Sequence, residues 1–342
     1  LHLGIETFTD LQNAIDLVDG ILTLDSDIAM TDDEAAGFVG GVAINKDIVI
    51  DGKGHTIDAK NLGRIFSIGE GFAVTLTNAT LINGKADKGG AIYNDGSLTL
   101  SDVKLSDNAA DGYGGAVFNN GELVVSDSVF DSNDIVNRGS ASVDYGGAAI
   151  YNWKEGTLKV TNSNFTNNIK NYKNGDNLVG AITTIGNATV SGSNFVNNSG
   201  RWGGALSVMG GESSSATNFI DIDGTKFVNN SALYGGAMNL LGEVSPGSIY
   251  SYIDSSLGGW EQRPVFKANI KQFVSLRKNA PPIGINELRR ITEFFNTPGD
   301  DFALDPTYEP DKHEADMKEV NVEHEVIFSI LQKYVKLNLV RP

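Results

Sequence analysis

Between residues 42 and 245, apolar and polar residues alternate in short runs. Leu98-Thr99-Leu100, Leu123-Val124-Val125, Leu158-Lys159-Val160 and Ala188-Thr189-Val190 each set apolar side chains two positions apart. Val103-Lys104-Leu105, Val129-Phe130 and Asn164-Phe165 follow after a polar break. A period of two is strand spacing, and the Gly, Asn, Asp and Ser residues between runs are turn formers. Val42-Ala43-Ile44, Ile48-Val49-Ile50, His55-Thr56-Ile57 and Val74-Thr75-Leu76 carry the same pattern toward the N-terminus, with Asp51-Gly52 and Lys53-Gly54 as turns. Phe8, Leu11, Ala14, Ile15 and Leu17-Val18 instead recur at helical spacing, with Thr7 or Thr9 as the cap.

The strand pattern repeats. Gly-Gly-Ala-apolar occurs at Gly89, Gly114, Gly203 and Gly235, with variants at Gly146-Gly147-Ala148-Ala149 and Val179-Gly180-Ala181-Ile182. Ahead of most of these stands Phe-x-x-Asn, ending at Asn133, Asn168, Asn198 and Asn230, with a leucine version ending at Asn108. One such unit cannot bury its inward face alone. Stacked units place like residues above one another at about 4.8 Å and close a continuous core. The predicted fold is an all-β solenoid, a parallel β-helix. Its expected hand is right, the usual hand of parallel crossovers. The helix near Phe8 is expected to cover the open N-terminal end, because exposed strand edges invite aggregation.

These strings resemble the repeats of polymorphic outer-membrane adhesins. Residues 1–245 resemble more fully the adhesin-like surface proteins of methanogenic archaea, through the opening Phe8-Thr9-Asp10-Leu11-Gln12-Asn13-Ala14-Ile15, the segment Ile48 to Asp58, Arg64-Ile65-Phe66 and the Asn-rich coils. The resemblance implies a pectate-lyase-like right-handed β-helix, extracellular or at the cell surface. Surface glycans or proteins of other cells are the expected partners.

Composition sharpens the boundaries. Of 40 glycines, only Gly284 and Gly299 lie beyond residue 260, and of 8 prolines only Pro246 lies before it. Residues 1–260 hold 14 basic and 30 acidic residues, and residues 261–342 hold 12 and 13. Three regions follow: a capping helix region at 1–22, the β-helix at 23–260, and a C-terminal appendage at 261–342. Val265 to Val274, Leu288 to Phe295 and Val326 to Val335 have helical spacing there, so the appendage reads as a small α-helical module, foreign or truncated, that serves as a lid. The net charge of −17 argues against nucleic acid and anionic lipid. No apolar run reaches the length of a membrane span. The absence of cysteine removes thiolate sites, and four scattered histidines leave no metal-ligand spacing. No cofactor is expected, although the acidic balance is compatible with calcium.

Candidate chemistry is sparse. Alignment of the units stacks Asn78, Asp102, Asp127, Asn162, Gly192 and Gly224. Asp102 and Asp127 would be a carboxylate pair for a glycoside hydrolase, but interchange of Asn, Asp and Gly is what a turn with positive φ requires. A lyase needs an acidic calcium cluster beside a basic residue, and no Lys or Arg recurs beside aligned acids. Asn108, Asn133, Asn168, Asn198 and Asn230 are expected to form a structural amide ladder. Asn78, Asn164, Asn187, Asn197 and Asn229 open N-glycosylation sequons. Tyr93, Phe118, Tyr151 and Trp153 are expected as a same-face stack within the coil core or on its wall, with sugar binding as the alternative. Tyr113, Tyr145, Trp202 and Tyr234, each directly before Gly-Gly, are the candidate binding row. The expected function is non-catalytic adhesion or surface structure, with a polysaccharide lyase or hydrolase as the rival; no catalytic or metal residue is assigned.

Overall fold

The computed structural model describes residues 4–137, 145–169, 178–209, 218–234, 236–241 and 244–254. The helices expected between 261 and 342 lie outside the described residues. Within them the chain is a right-handed parallel β-helix with a helix at its N-terminal end. Its strands form three sheets of 14, 8 and 7 strands, and consecutive coils pair in parallel.

One coil shows how the sequence makes the turn. Strand Ser97–Ser106 bends at Asp102, whose φ is 56°, so it contributes twice to the long sheet. Ala109–Tyr113 and Val117–Asn119 follow in the other two sheets, and Glu122–Ser126 begins the next coil over Ser97 to Ser101. Alternation sends Leu98, Leu100, Val103 and Leu105 inward. Their register partners one coil on are Leu123, Val125 and Phe130, for Leu98, Leu100 and Leu105 respectively. Above Phe130 the column is aromatic. Phe130, Phe165, Phe195 and Phe227 stack with ring centroids 4.8, 4.6 and 5.1 Å apart, nearly parallel and fully buried.

The Gly-Gly pair closes the corner between the two smaller sheets. Gly114 takes φ 66°. Gly115 needs the absence of a side chain for another reason: a Cβ there would stand 2.3 Å from the Ala148 carbonyl oxygen and 2.4 Å from that of Asp134. The backbones of stacked coils pass too close for alanine.

The expected asparagine ladder is present. Asn133 Oδ1 accepts from the backbone N–H and the Nδ2 of Asn108, both at 3.1 Å. Its own Nδ2 donates to the Leu105 carbonyl at 3.0 Å and to Asn168 Oδ1 at 3.1 Å. The pattern continues through Asn198 to Asn230, and all five amides are 0–3% exposed. A buried amide is tolerable only when its donors and acceptor are matched, and translation by one coil matches them automatically.

The N-terminal lid is helix α1, Phe8–Leu17, closed by a reciprocal capping box between Thr7 and Asp10. Phe8, Leu11, Ala14 and Ile15 bury against the first coil. Gln12 covers the open edge of strand Val42–Ile44: its Oε1 accepts from the Ala43 N–H at 2.8 Å and its Nε2 donates to the Ala43 carbonyl at 3.0 Å. The side-chain amide thus pairs with the edge as a neighbouring strand would.

Acid should loosen the wall. Burial raises the Asp131 carboxyl, but hydrogen bonds from Thr166, Asn167 and Ser132 outweigh it and hold the group below its ordinary value. Asp58 behaves likewise, with burial overcome by Lys60 and Asn83. A lowered folded pKa contributes stability that is present above the unfolded value, about 3.9, and is lost as pH falls through the folded value. Urea midpoints are therefore expected to hold from pH 7 to about 5 and to drop below about pH 4. Asp131→Asn should make that drop shallower.

Candidate functional site

The sequence pairing of Asp102 with Asp127 lands on a real surface feature. A shallow groove of ≈ 500 Å³ on the outside of the long sheet is lined by Lys53, Gly54, Asn78, Ala79, Thr80, Asp102, Val103, Lys104, Asp127 and Val129. It follows the bend between the two halves of the sheet. The residues at that bend are Asn78, Asp102, Asp127, Asn162, Gly192 and Gly224, with φ of 51°, 56°, 51°, 49°, 57° and 55°. Asn, Asp and Gly interchange there because the position is left-handed.

The two carboxylates lie in register on consecutive coils, so their backbones are about 4.8 Å apart, near the separation used by retaining glycosidases. Such a mechanism needs two different environments, one keeping its acid protonated and one keeping its partner ionised. Asp102 and Asp127 are both exposed and hold equivalent places in the repeat. The nearby Lys53 is already paired with Asp51 at 3.0 Å. Among the described residues, no three His, Asp or Glu side chains gather as metal ligands. If Asp127 serves the turn, Asp127→Asn should leave stability within about 0.5 kcal/mol of the parent, whereas Asp127→Val should cost about 1–2 kcal/mol by urea denaturation. Equal losses in both variants would contradict the turn role.

The aromatic residues divide into two groups. Tyr93, Phe118 and Tyr151 are register partners on the outer side of the eight-stranded sheet and stack face to face at 5.2 and 5.9 Å. Trp153 stacks on Tyr151 at 6.0 Å, and the Arg64 guanidinium lies 5.2 Å from the Tyr93 ring centre. The faces of the buried Phe118 and Tyr151 rings are thus occupied by neighbours, as a same-face stack requires. Arg64 itself is buried, donating to the carbonyls of Gly40, Lys88 and Gly89 and pairing with Asp87 at 3.2 Å. It ties coils together.

The candidate binding row is only partly a row. Trp202 pairs with Tyr234 on the next coil, and Tyr113 lies in the same column. The residue opposite Tyr113 is Gly146, however, and Tyr145 pairs with Leu178 one step aside. The repeat there is Gly147-Ala148-Ala149-Ile150, with Gly147 at φ 62° and Ile150 opposite Val117; Gly146-Gly147 only imitates the pair. Val179 continues the column, so Gly146 and Val179 separate Tyr113 from Trp202. Tyr113 and Trp202 are half-buried. The Lys88 ammonium stands 5.7 Å from the Tyr113 ring centre, and the Arg201 guanidinium 5.8 Å from that of Trp202.

Two further polar columns escaped the sequence reading. Asn94 donates to Asn119 and Asn119 to Asn152, each at 2.7 Å, and Asn152 donates to Thr184 Oγ1 at 3.0 Å. Ser128, Ser163, Ser193 and Thr225 hydroxyls each accept a backbone N–H from the preceding coil. The Asn at the end of Ile92-Tyr93-Asn94, Val117-Phe118-Asn119 and Ile150-Tyr151-Asn152 was the available signal for the first. No family model matches the chain, and comparisons with curated proteins and with solved structures found no match either.

Proposed function

We propose that this chain is an adhesin-like surface protein of the kind found in methanogenic archaea: a non-catalytic β-helix, displayed outside the cell, that binds glycans or proteins of other cells. The observation that carries this reading is the use of the repeated polar residues. Both asparagine columns and the Ser/Thr column are engaged inside the wall, so the repetition serves a rod rather than a reaction centre. The ordered strings at Phe8 to Ile15, Ile48 to Asp58 and Arg64 to Phe66 add the surface location. No helix among the described residues is long and apolar enough to cross a membrane. Contact with ligand falls to Trp202 and Tyr234, adjacent in register, with Tyr113 farther along the column. Tyr145 lies outside that column and is the weakest member of the row.

The enzyme reading draws on one observation, the groove that holds Asp102 and Asp127. A glycan array with and without calcium, followed by a reducing-end assay on each hit, separates the two. Binding without new reducing ends, reduced at least tenfold by Trp202→Ala, is the expected result. Release of reducing ends or unsaturated products that disappears in Asp102→Asn or Asp127→Asn would establish the enzyme instead.

A further inference from the structure

The five sequons look at first like by-products of an Asn-rich ladder, but the structure separates the two. The ladder amides belong to Asn108, Asn133, Asn168, Asn198 and Asn230, none of which opens a sequon. The sequon asparagines stand beside them, so structural bonding and sugar attachment do not compete for one side chain.

They also differ among themselves. Asn78 is part-buried, lines the groove and donates its Nδ2 to Asp51 at 3.2 Å. Asn187 is exposed but engaged in a further contact. Asn164, Asn197 and Asn229 are exposed. Asn164 accepts from Asn194 through its Oδ1 at 2.8 Å, which leaves its Nδ2 outward and without an acceptor among the described residues. The side chains of Asn197 and Asn229 make no hydrogen bond among the described residues. Both hold φ near the left-handed value, 56° and 58°, at the corner just before the ladder. The three lie on three consecutive coils, at the second half of the long sheet, where Phe165, Phe195 and Phe227 are successive register partners.

We infer that Asn164, Asn197 and Asn229 are N-glycosylated and that Asn78 is not. Attachment forms a bond from sugar C1 to Nδ2 and breaks the C1–O bond to the phosphate of a lipid-linked oligosaccharide donor. The phosphate departs as the anion, and the proton shed by Nδ2 passes to solvent. The result is a sugar-bearing patch over three consecutive coils of the long sheet, with Asn164 one coil beyond Val129 at the end of the groove. This rests on the surface location proposed above, but not on ligand binding, which the array measures independently.

The test is glycopeptide mass spectrometry of the protein isolated from its native source. Sugar on Asn164, Asn197 and Asn229 with Asn78 unmodified is expected. Sugar on Asn78, or any of the three found wholly bare, overturns the assignment. Ser199→Ala with Ser231→Ala removes two acceptor sequences without touching the left-handed asparagines. That variant, expressed in the same source, should lose two glycan masses while keeping the parent circular dichroism spectrum. Retention of the full mass would also overturn the assignment.

Discussion

Asn133→Leu is expected to lower stability by about 3–5 kcal/mol, a large loss for a substitution that keeps the number of side-chain heavy atoms. The substitution strands three groups that are otherwise matched, the N–H and one Nδ2 proton of Asn108 and the Leu105 carbonyl, while Asn168 Oδ1 keeps the backbone N–H of residue 133. Each buried orphan costs about 1–3 kcal/mol, and the costs overlap because the three share one site. In a solenoid, stability is nearest-neighbour in character, so the break should also uncouple the coils on either side. Urea unfolding followed by circular dichroism should therefore show a lower first midpoint and a broadened or split transition. A loss below about 1 kcal/mol would mean that water replaces the amide and that the ladder contributes little.

Phe165→Ala is the second large effect, expected at about 3–5 kcal/mol. Phe165 is fully buried between Phe130 and Phe195, so its ring has a neighbour on both faces. Removal leaves a ring-sized cavity in a wall whose spacing is fixed by backbone hydrogen bonds, and the neighbours cannot close it without breaking register. Phe227→Ala, with one flanking ring among the described residues, should cost less. Thermal unfolding of the two variants side by side measures the difference, and an equal loss would contradict stacking as the reason for the aromatic column.

Much of this architecture was legible in the residues. Phe-x-x-Asn announces an inward ring and a corner amide, because both must recur at the same place in every coil. Gly-Gly announces the opposite corner, where Gly115 has no room for a Cβ. The Asn78 to Gly224 alignment was legible for a similar reason: only residues at ease with positive φ are found there. What hid was column membership where the chemistry changes from coil to coil. Thr184 takes over from Asn152, and Thr225 from Ser193, so identity alone does not reveal the ladder. Tyr145 falls out of the column because Gly146-Gly147-Ala148-Ala149 is a run of four small residues in which either glycine could open the repeat. Which glycine takes the left-handed corner is decided by backbone pairing with the coil below, not by the local string.

The absence of cysteine makes the central claim open to a direct chemical measurement. Thr99 and Val124 are outward, in-register neighbours on consecutive coils, and Lys159 lies one coil farther on. Strand spacing sets the first pair about 4.8 Å apart, within disulfide reach, and places Thr99 and Lys159 about twice as far apart, beyond it. Under mild oxidation Thr99→Cys with Val124→Cys should close a disulfide in the folded protein, seen as a loss of two mass units and of free thiol. Thr99→Cys with Lys159→Cys should stay reduced. The opposite outcome, or no crosslink in either, would contradict parallel coils in this register.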